Sequence, residues 1–475
     1  MNSYRMFIDG EWRDSSVHNP VYDKYSGEQY AEYALTTEEE VNEAVNSAKK
    51  SFEEHVLSGV ERYEILNRCA DIIMTKQKEI AEMITHEVGR TIGDSMWEVE
   101  RTVMSFKLAA EEARRVAGEI IPTDGMPGME DKFCYTIRKP LGVVALIMPF
   151  NLPLVLTVNK LAPTIAAGNT IVLKPSQVCP GYAVKLVEVL LEAGYPRKHI
   201  QLILGPGSTA GEALVKNQDV AFYCYTGSMK GGEHVSNSVG LRRTSMDLGN
   251  NSPVIVHKDA DVDLAAGELA GTGFYNAGQV CFRPQRLYVH EDIYDTFVEK
   301  VVDFAKSVKC GDPMKEGVYV GPLISPQDVE RVDSWVKEAV EQGAKLLTGG
   351  KKLSDRIYPP TVLTDTRKGM KVVDEEIFGP VLVIMKYSDF DSALDMANDS
   401  IYGLHAACYT TDVNLAMKAA DRMEAGGIGI NVSPATHVPN MPFGGIKKSG
   451  SGGNEGPRYT VEEMTDVKTI FLARK

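Results

Sequence analysis

No apolar run in this sequence approaches the ~20 residues that a membrane-spanning helix needs; the longest runs only from Val143 to Met148. The seven cysteines, Cys69, Cys134, Cys179, Cys224, Cys281, Cys310 and Cys408, are odd in number and far apart. That excludes a disulfide framework and a paired-thiolate zinc site. Nine histidines are equally scattered, with no His-x-x-x-His pair, so no metal centre is expected. No G-x-x-x-x-G-K-[ST] occurs, which disfavours a P-loop phosphotransferase. Positive charge is also in short supply: 51 Lys and Arg face 65 Asp and Glu, for a net charge of −14. Such a chain is a poor partner for nucleic-acid phosphates or an anionic membrane. The first residues turn polar at Asp9-Gly10-Glu11 and carry no signal-peptide pattern. A reduced, cytoplasmic, soluble enzyme is the expectation.

What is present is ordinary globular material, 43% hydrophobic and 24% charged over 475 residues, enough for two or three domains. The first 115 or so residues read mostly as helix, with a capping-box start at Thr37 to Glu40. The mixed Glu and Arg of the stretch from Ile92 to Ala117 read as a solvated face. From Ile120 to Arg138, turn residues and the strand-like Phe133 to Ile137 suggest a flap that pairs with another subunit.

Strand and helix then alternate. Buried strands are expected at Gly142 to Met148, Thr170 to Leu173, Ile200 to Leu204 and Val220 to Tyr225, with helices between them. This is the pattern of a parallel sheet covered on both faces, whose ligands collect where strands end. A second alternation runs from Pro253 to about Asn431, with strands at Gln285 to His290, Val381 to Lys386 and Ala406 to Tyr409. Two α/β domains with a cleft between them is the economical reading.

Two glycine-rich turns follow strands in neighbouring units, Gly205 to Gly211 and Gly227 to Gly232. Each serves equally as a tight strand-to-helix turn or as a cradle for phosphates at a helix N-terminus, and the pair favours a nucleotide. Cys281 follows the turn Asn276-Ala277-Gly278. A single cysteine is either an inert buried side chain or a nucleophile needing a lowered pKa and an oxyanion donor. Asn151, at a strand end, is a candidate donor or a helix cap.

Seven segments then occur in one order. They are Pro149-Phe150-Asn151, Lys174-Pro175-Ser176, Tyr225-Thr226-Gly227-Ser228, Asp247 to Pro253, Gly278-Gln279-Val280-Cys281, Glu375 to Val381 and Pro442-Phe443-Gly444-Gly445. Together they resemble the aldehyde dehydrogenase superfamily, from Asp9-Gly10-Glu11-Trp12 to Glu462-Glu463-Met464-Thr465. The resemblance implies an α/β fold: a Rossmann-like cofactor domain (1–118 and 139–247), an α/β catalytic domain (248–445), and a small β oligomerisation flap (119–138 with 446–475). It implies NAD(P)-dependent oxidation of an aldehyde to an acid. Cys281 would form the thiohemiacetal and then a thioester, Asn151 and the Cys281 N–H would hold the oxyanion, and Asp247 would be the general base. NAD or NADP would lie against Lys174, Ser176, Gln177, Gly207, Gly211, Gly227, Ser228, Leu248, Glu376 and Phe378. Arg283, Asn159 and His437 would reach the substrate, and the flap with Val467 to Leu472 would build a homodimer or homotetramer.

The sequence departs from the family at two of these positions. The family expects Glu where Asp247 stands, and Asp is one C–C bond, roughly 1.5 Å, shorter. A misplacement of ~1 Å can cost ~100-fold in rate. Three readings follow: Asp247 serves through a repositioned water, or deacylation limits turnover, or the thioester passes to coenzyme A. A catalytically silent nucleotide-binding relative is the reading from a different class. At the second position, Gln177 replaces the Glu of many NAD-preferring relatives and removes its repulsion of a 2′-phosphate, so NADP is admissible. The segment from Lys447 to Met464 is most similar to the branch of lactaldehyde, succinate-semialdehyde and non-phosphorylating glyceraldehyde-3-phosphate dehydrogenases, except for Asn454, where an Arg is common.

Overall fold

The computed structural model describes residues 2–450 and 455–473. Its first departure from expectation is at the start of the chain, where five short strands precede any helix. Met6–Ile8 and Glu11–Arg13 form a hairpin whose two turn residues, Asp9 and Gly10, both have positive φ. An Asp-Gly pair at those positions matches the right-handed strand twist, a stronger local signal than the helical reading allowed for. Helices begin at Glu38–Glu54, where Thr37 and Glu40 form the expected capping box, and continue through Gly59–Thr75, Gln77–Val88 and Ile92–Ala113.

The first large sheet has seven strands in the order Arg243–Asp247, Phe222–Thr226, Val143–Ile147, Thr170–Lys174, Ile200–Leu202, Met6–Ile8 and Glu11–Arg13. The first five run parallel, and the N-terminal hairpin closes the edge antiparallel. Val143–Ile147 and Thr170–Lys174 are buried almost throughout because helices cover both faces. The strand order reverses beside Val143–Ile147, so a crevice opens at that strand's C-terminal end.

The second large sheet orders Lys345–Thr348, Thr361–Thr364, Val381–Tyr387, Arg286–His290, Pro253–Val256, His405–Tyr409 and Gly427–Ile430. All its pairings are parallel except the first. It has a core of its own, built on Val254, Leu287, Val383 and Phe274. A third sheet joins the flap to the C-terminal strand. Thr465–Ala473 pairs antiparallel with Lys132–Pro140 along its whole length, and Ile120–Ile121 adds a short edge. Among the described residues, no helix is long and apolar enough to cross a membrane.

Candidate active site

The C-terminal edge of the first sheet faces the N-terminal edge of the second, because the chain passes directly from strand Arg243–Asp247 into strand Pro253–Val256. Each edge contributes the loops that follow or precede its strands. Asn151, Lys174 and Asp247 come from ends of first-sheet strands, and Cys281 and Glu376 from the approaches to Arg286–His290 and Val381–Tyr387. All five line one cleft, together with Ser176, Gln177, Gly207, Gly227, Ser228, Leu248 and Phe378. Gly211 lies at the cleft's outer end, beside Gly207 and Ser228.

The cleft offers a donor set that fits a dinucleotide. Lys174 is buried with one acceptor, Pro175 O at 3.2 Å, and burial pulls its pKa down to about 8. An ammonium with spare protons and, among the described residues, no carboxylate partner suits ribose hydroxyls or phosphate. Ser228 Oγ accepts from Gly231 N–H at 3.2 Å and caps helix Met229–Val239, whose N-terminus opens on the cleft. Across from it, Glu376 accepts from Asn250 N–H at 3.0 Å. Burial raises the Glu376 pKa to about 7, against the pull of that hydrogen bond and of Arg283 and Arg331. A Cβ at 249 would stand 2.3 Å from Glu376 Oε2, so a larger residue there would push that carboxyl aside. Phe378, with φ of 43°, sets its ring edge-on to Phe150 at 6.0 Å.

Cys281 is partly exposed on the cleft floor. Asn276, Ala277 and Gly278 before it are all left-handed, at φ of 51°, 54° and 73°. Such a conformation costs of order 1–3 kcal/mol at a non-glycine residue and persists only where its surroundings impose it. Gly278 is imposed by close approach, for a Cβ would lie 2.1 Å from Gly379 O. Burial, with the carboxyls of Glu376, Asp247 and Glu455 adding to it, pushes the Cys281 thiol well above its ordinary pKa. Asn151 is fastened to the same loop: its Nδ2 donates to Gln279 O at 3.0 Å, and its carbonyl accepts from Asn276 Nδ2 at 3.1 Å. The amide has a second N–H for a ligand oxygen.

A second cavity opens behind Cys281, lined by its neighbours Val280 and Phe282 and by Leu156, which also lines the first cleft. Its walls are largely apolar, with Trp97, Tyr275 and Phe443 among them, and its polar side chains include Arg101, Asn159, Thr272, His437 and Glu455. Asn159 and His437 both line this cavity. Asn159 Oδ1 accepts from Ser105 Oγ at 2.7 Å. His437 Nδ1 takes a hydrogen bond from Arg101 Nη2 at 2.9 Å. Burial, Arg101 and His405 lower the His437 pKa to about 4, so the ring is neutral at physiological pH.

Arg283 does not reach this cavity, and the expectation of a substrate clamp is corrected. Its guanidinium is buried and every nitrogen donates to a protein acceptor, Gly278 O, Pro284 O and Gln285 Oε1 in its own loop region and Val381 O on the second sheet. It staples the Cys281 loop to the second sheet.

Four functional positions escaped the sequence reading. Arg101 and Glu98 lie in the stretch read as a solvated face, yet Glu98 is fully buried and pairs with Arg90, Nε to Oε2 at 3.2 Å. Glu98 Oε1 accepts from Leu154 and Val155 N–H at 2.9 and 3.1 Å, capping helix Pro153–Ala167 just past Asn151. Lys160 and Glu455 are buried beside Asp247, with Lys160 Nζ 2.8 Å from Asp247 Oδ2 and 3.1 Å from Glu455 Oε1. Nothing in the sequence signals this, because Lys160, Asp247 and Glu455 are far apart along the chain and only the fold brings them together. The segment expected to serve oligomerisation thus also delivers Glu455 to the site, while Asn454 lies outside the described residues.

A profile described as "Aldehyde dehydrogenase family" matches residues 12–470. The chain is 44% identical over 472 residues to a 3-sulfolactaldehyde dehydrogenase of Priestia megaterium, covering 99% of this chain and 98% of that one. It is 39% identical over 474 residues to a lactaldehyde dehydrogenase of Methanococcus maripaludis, covering 98% and 99%. Among solved structures, aldehyde dehydrogenase 21 from Physcomitrella patens, in complex with the reaction product succinate, superposes with a TM-score of 0.96 at 34% identity, covering 100% and 98%. Glyceraldehyde-3-phosphate dehydrogenase GapN from Methanocaldococcus jannaschii, complexed with NADP, gives 0.92 at 37% identity, covering 96% and 100%.

Proposed function

The chain belongs to the aldehyde dehydrogenase family and is an NAD(P)-dependent aldehyde dehydrogenase; from that premise we propose that it oxidises a small aldehyde bearing an anionic group. The observation that carries this reading is Arg101. It stands in the apolar cavity behind Cys281, its partners are His437 and the face of Trp97 at 5.0 Å, and among the described residues no carboxylate pairs with it. A half-buried guanidinium without a counter-charge is a ready site for a carboxylate, sulfonate or phosphate. Relatives named for sulfolactaldehyde and lactaldehyde, and a structural neighbour that holds succinate, support the same class of substrate.

In the reaction, Cys281 Sγ adds to the aldehyde carbon, and the free N–H of Asn151 with the Cys281 backbone N–H receives the oxyanion. Lys174 and Glu376 would hold the riboses of a dinucleotide, which when bound would supply the hydride acceptor, and Gln177, neutral and exposed, would admit NADP as well as NAD. The acyl group left on Cys281 is a thioester, and water activated by the carboxyl at Asp247 hydrolyses it.

Val467, Phe471 and Ile120 are 57%, 72% and 71% exposed on the third sheet. So apolar an edge suits burial against a second copy, and a homodimer or homotetramer in the cytoplasm is the assembly we favour. The flap residues 119–138 with 446–475 would build it, between a cofactor domain of 1–118 with 139–247 and a catalytic domain of 248–445.

Rapid-mix formation of NADH or NADPH with anionic and neutral aldehydes, with and without coenzyme A, tests the reading. A burst with an anionic aldehyde, followed by a steady rate that coenzyme A does not change, is expected. No reduced cofactor with any anionic aldehyde would refute it.

A further inference from the structure

The cofactor cleft and the hollow at its outer end share four lining residues, Ile147, Gly207, Tyr225 and Ser228. Lys174, Cys281 and Glu376 line the cleft alone, while Val215 and Val235 join Ile147 in an apolar wall of the hollow. A dinucleotide is two nucleosides joined by a pyrophosphate. One with its base against that apolar wall and its nicotinamide toward Cys281 carries its charged middle across the shared residues.

Tyr225 stands one residue before the end of strand Phe222–Thr226, and its phenol is packed against the turn Gly227 to Gly232. A Cβ at Gly231 would stand 2.0 Å from the Tyr225 hydroxyl oxygen, and one at Gly227 would stand 2.7 Å from it. Neither glycine has a left-handed backbone, so both are needed for room and not for conformation. Burial raises the Tyr225 pKa, which keeps the phenol neutral, and the Ser228 hydroxyl and N–H oppose that shift as donors to its oxygen. Ser228 Oγ already accepts from Gly231 N–H at 3.2 Å, so its own proton is the one directed to Tyr225. The phenolic proton has no acceptor of its own among the described residues.

Other donors stand beside it. Ser228 caps helix Met229–Val239, and the N–H groups of Met229 and Lys230 find no acceptor among the described residues. Glu212, which also lines the hollow, is held by Lys216 and His234 at 3.1 and 2.7 Å. A neutral phenol with a proton to give, next to a helix N-terminus, suits a phosphate.

We propose that Tyr225 is a cofactor-binding residue whose hydroxyl donates to the pyrophosphate of the dinucleotide, and that Gly227 and Gly231 are glycine so that the phenol can be seated there. The inference rests on the NAD(P) chemistry above and deepens it. Because the pyrophosphate is common to NAD and NADP, the contact serves both equally.

Binding is read without turnover, by the fluorescence of NADH and NADPH and by calorimetry with ADP-ribose and adenosine. Tyr225→Phe keeps the ring and removes only the hydroxyl. It is expected to weaken NADH, NADPH and ADP-ribose alike, about 10- to 100-fold, the range of a hydrogen bond to a charged group. Adenosine, which carries no phosphate, should change less than about twofold. Gly231→Ala introduces a better helix former but sets its methyl on the hydroxyl, and should reproduce the same pattern. Unchanged ADP-ribose binding in Tyr225→Phe, or a loss that adenosine shares, would overturn the proposal. A loss confined to NADPH would move Tyr225 to the 2′-phosphate and overturn it as well. Since no aldehyde is used, a native enzyme that binds NADH but gives no burst would refute the substrate reading alone, and the titrations would still decide Tyr225.

Discussion

Arg101 Nη2 donates to His437 Nδ1 at 2.9 Å, joining helix Ile92–Ala113 to the loop that precedes Phe443 across the mouth of the substrate cavity. The contact fixes His437 as the neutral acceptor and leaves the rest of the guanidinium for substrate. It also places the cavity's free positive charge on a helix that carries none of the reacting groups.

Arg101→Met should therefore discriminate by charge. Hydrogen bonds to a charged group contribute roughly 1.5–3 kcal/mol, or about 10- to 100-fold in kcat/KM. That loss is expected for an aldehyde with a sulfonate or carboxylate, with a change below about threefold for a neutral aldehyde of equal length. Equal losses on both would mean the variant damages packing instead of recognition. Because Arg101 is one of the charges that depress His437, its removal should also raise the histidine pKa, observable as a shift in the ring's proton resonances on titration.

The resting thiol of Cys281 is held protonated by burial and by three neighbouring carboxyls. A pKa well above the ordinary value leaves little thiolate at neutral pH, and the reactive fraction grows about tenfold per pH unit until the pKa is reached. Iodoacetamide labelling of the cofactor-free enzyme at Cys281 is expected to be slow at pH 7 and to rise about 100-fold by pH 9. Labelling that levels off below pH 8 would place the thiol in the ordinary range. Cys281→Ala should abolish both labelling at this position and reduced-cofactor formation.

Glu98 has two jobs within one carboxylate, neutralising Arg90 and capping the helix that follows Asn151. Breaking a fully buried ion pair by removing one partner costs about 3–5 kcal/mol, since the other charge is left uncompensated. Glu98→Ala is expected to lower the denaturant midpoint accordingly. Arg90 also donates to Asn151 O at 3.3 Å and to Tyr275 OH at 2.7 Å. The burst rate should therefore fall more than the steady-state rate, and an unchanged burst would show that the oxyanion amide is positioned without Arg90.

The reading of the flap shows how far local pattern carries. The strand at Phe133 to Ile137 was legible from its residues and that at Val467 to Leu472 from the family resemblance, and they lie in the paired strands Lys132–Pro140 and Thr465–Ala473. The N-terminal hairpin was equally local, yet its Asp9-Gly10 turn was outweighed by the helical texture that follows. Buried strands such as Val143–Ile147 were legible because a parallel sheet covered on both faces requires continuous apolar runs.

The sequence by itself determined where the buried strands of the first sheet lie and marked Asn151 and Cys281 beside turns at the strand ends and approaches, while Lys174 and Glu376 were legible only through the family resemblance. Only the tertiary structure decided the charges. Arg283 became a staple, Arg101 entered the cavity behind Cys281, Glu98 became a helix cap, and Lys160 with Glu455 became the partners of Asp247, across separations of up to 295 residues. The reason is physical: a carboxylate or guanidinium has the same sequence appearance in water and in a sealed pocket, and its pKa and its role depend on which opposite charges the fold brings within hydrogen-bonding distance.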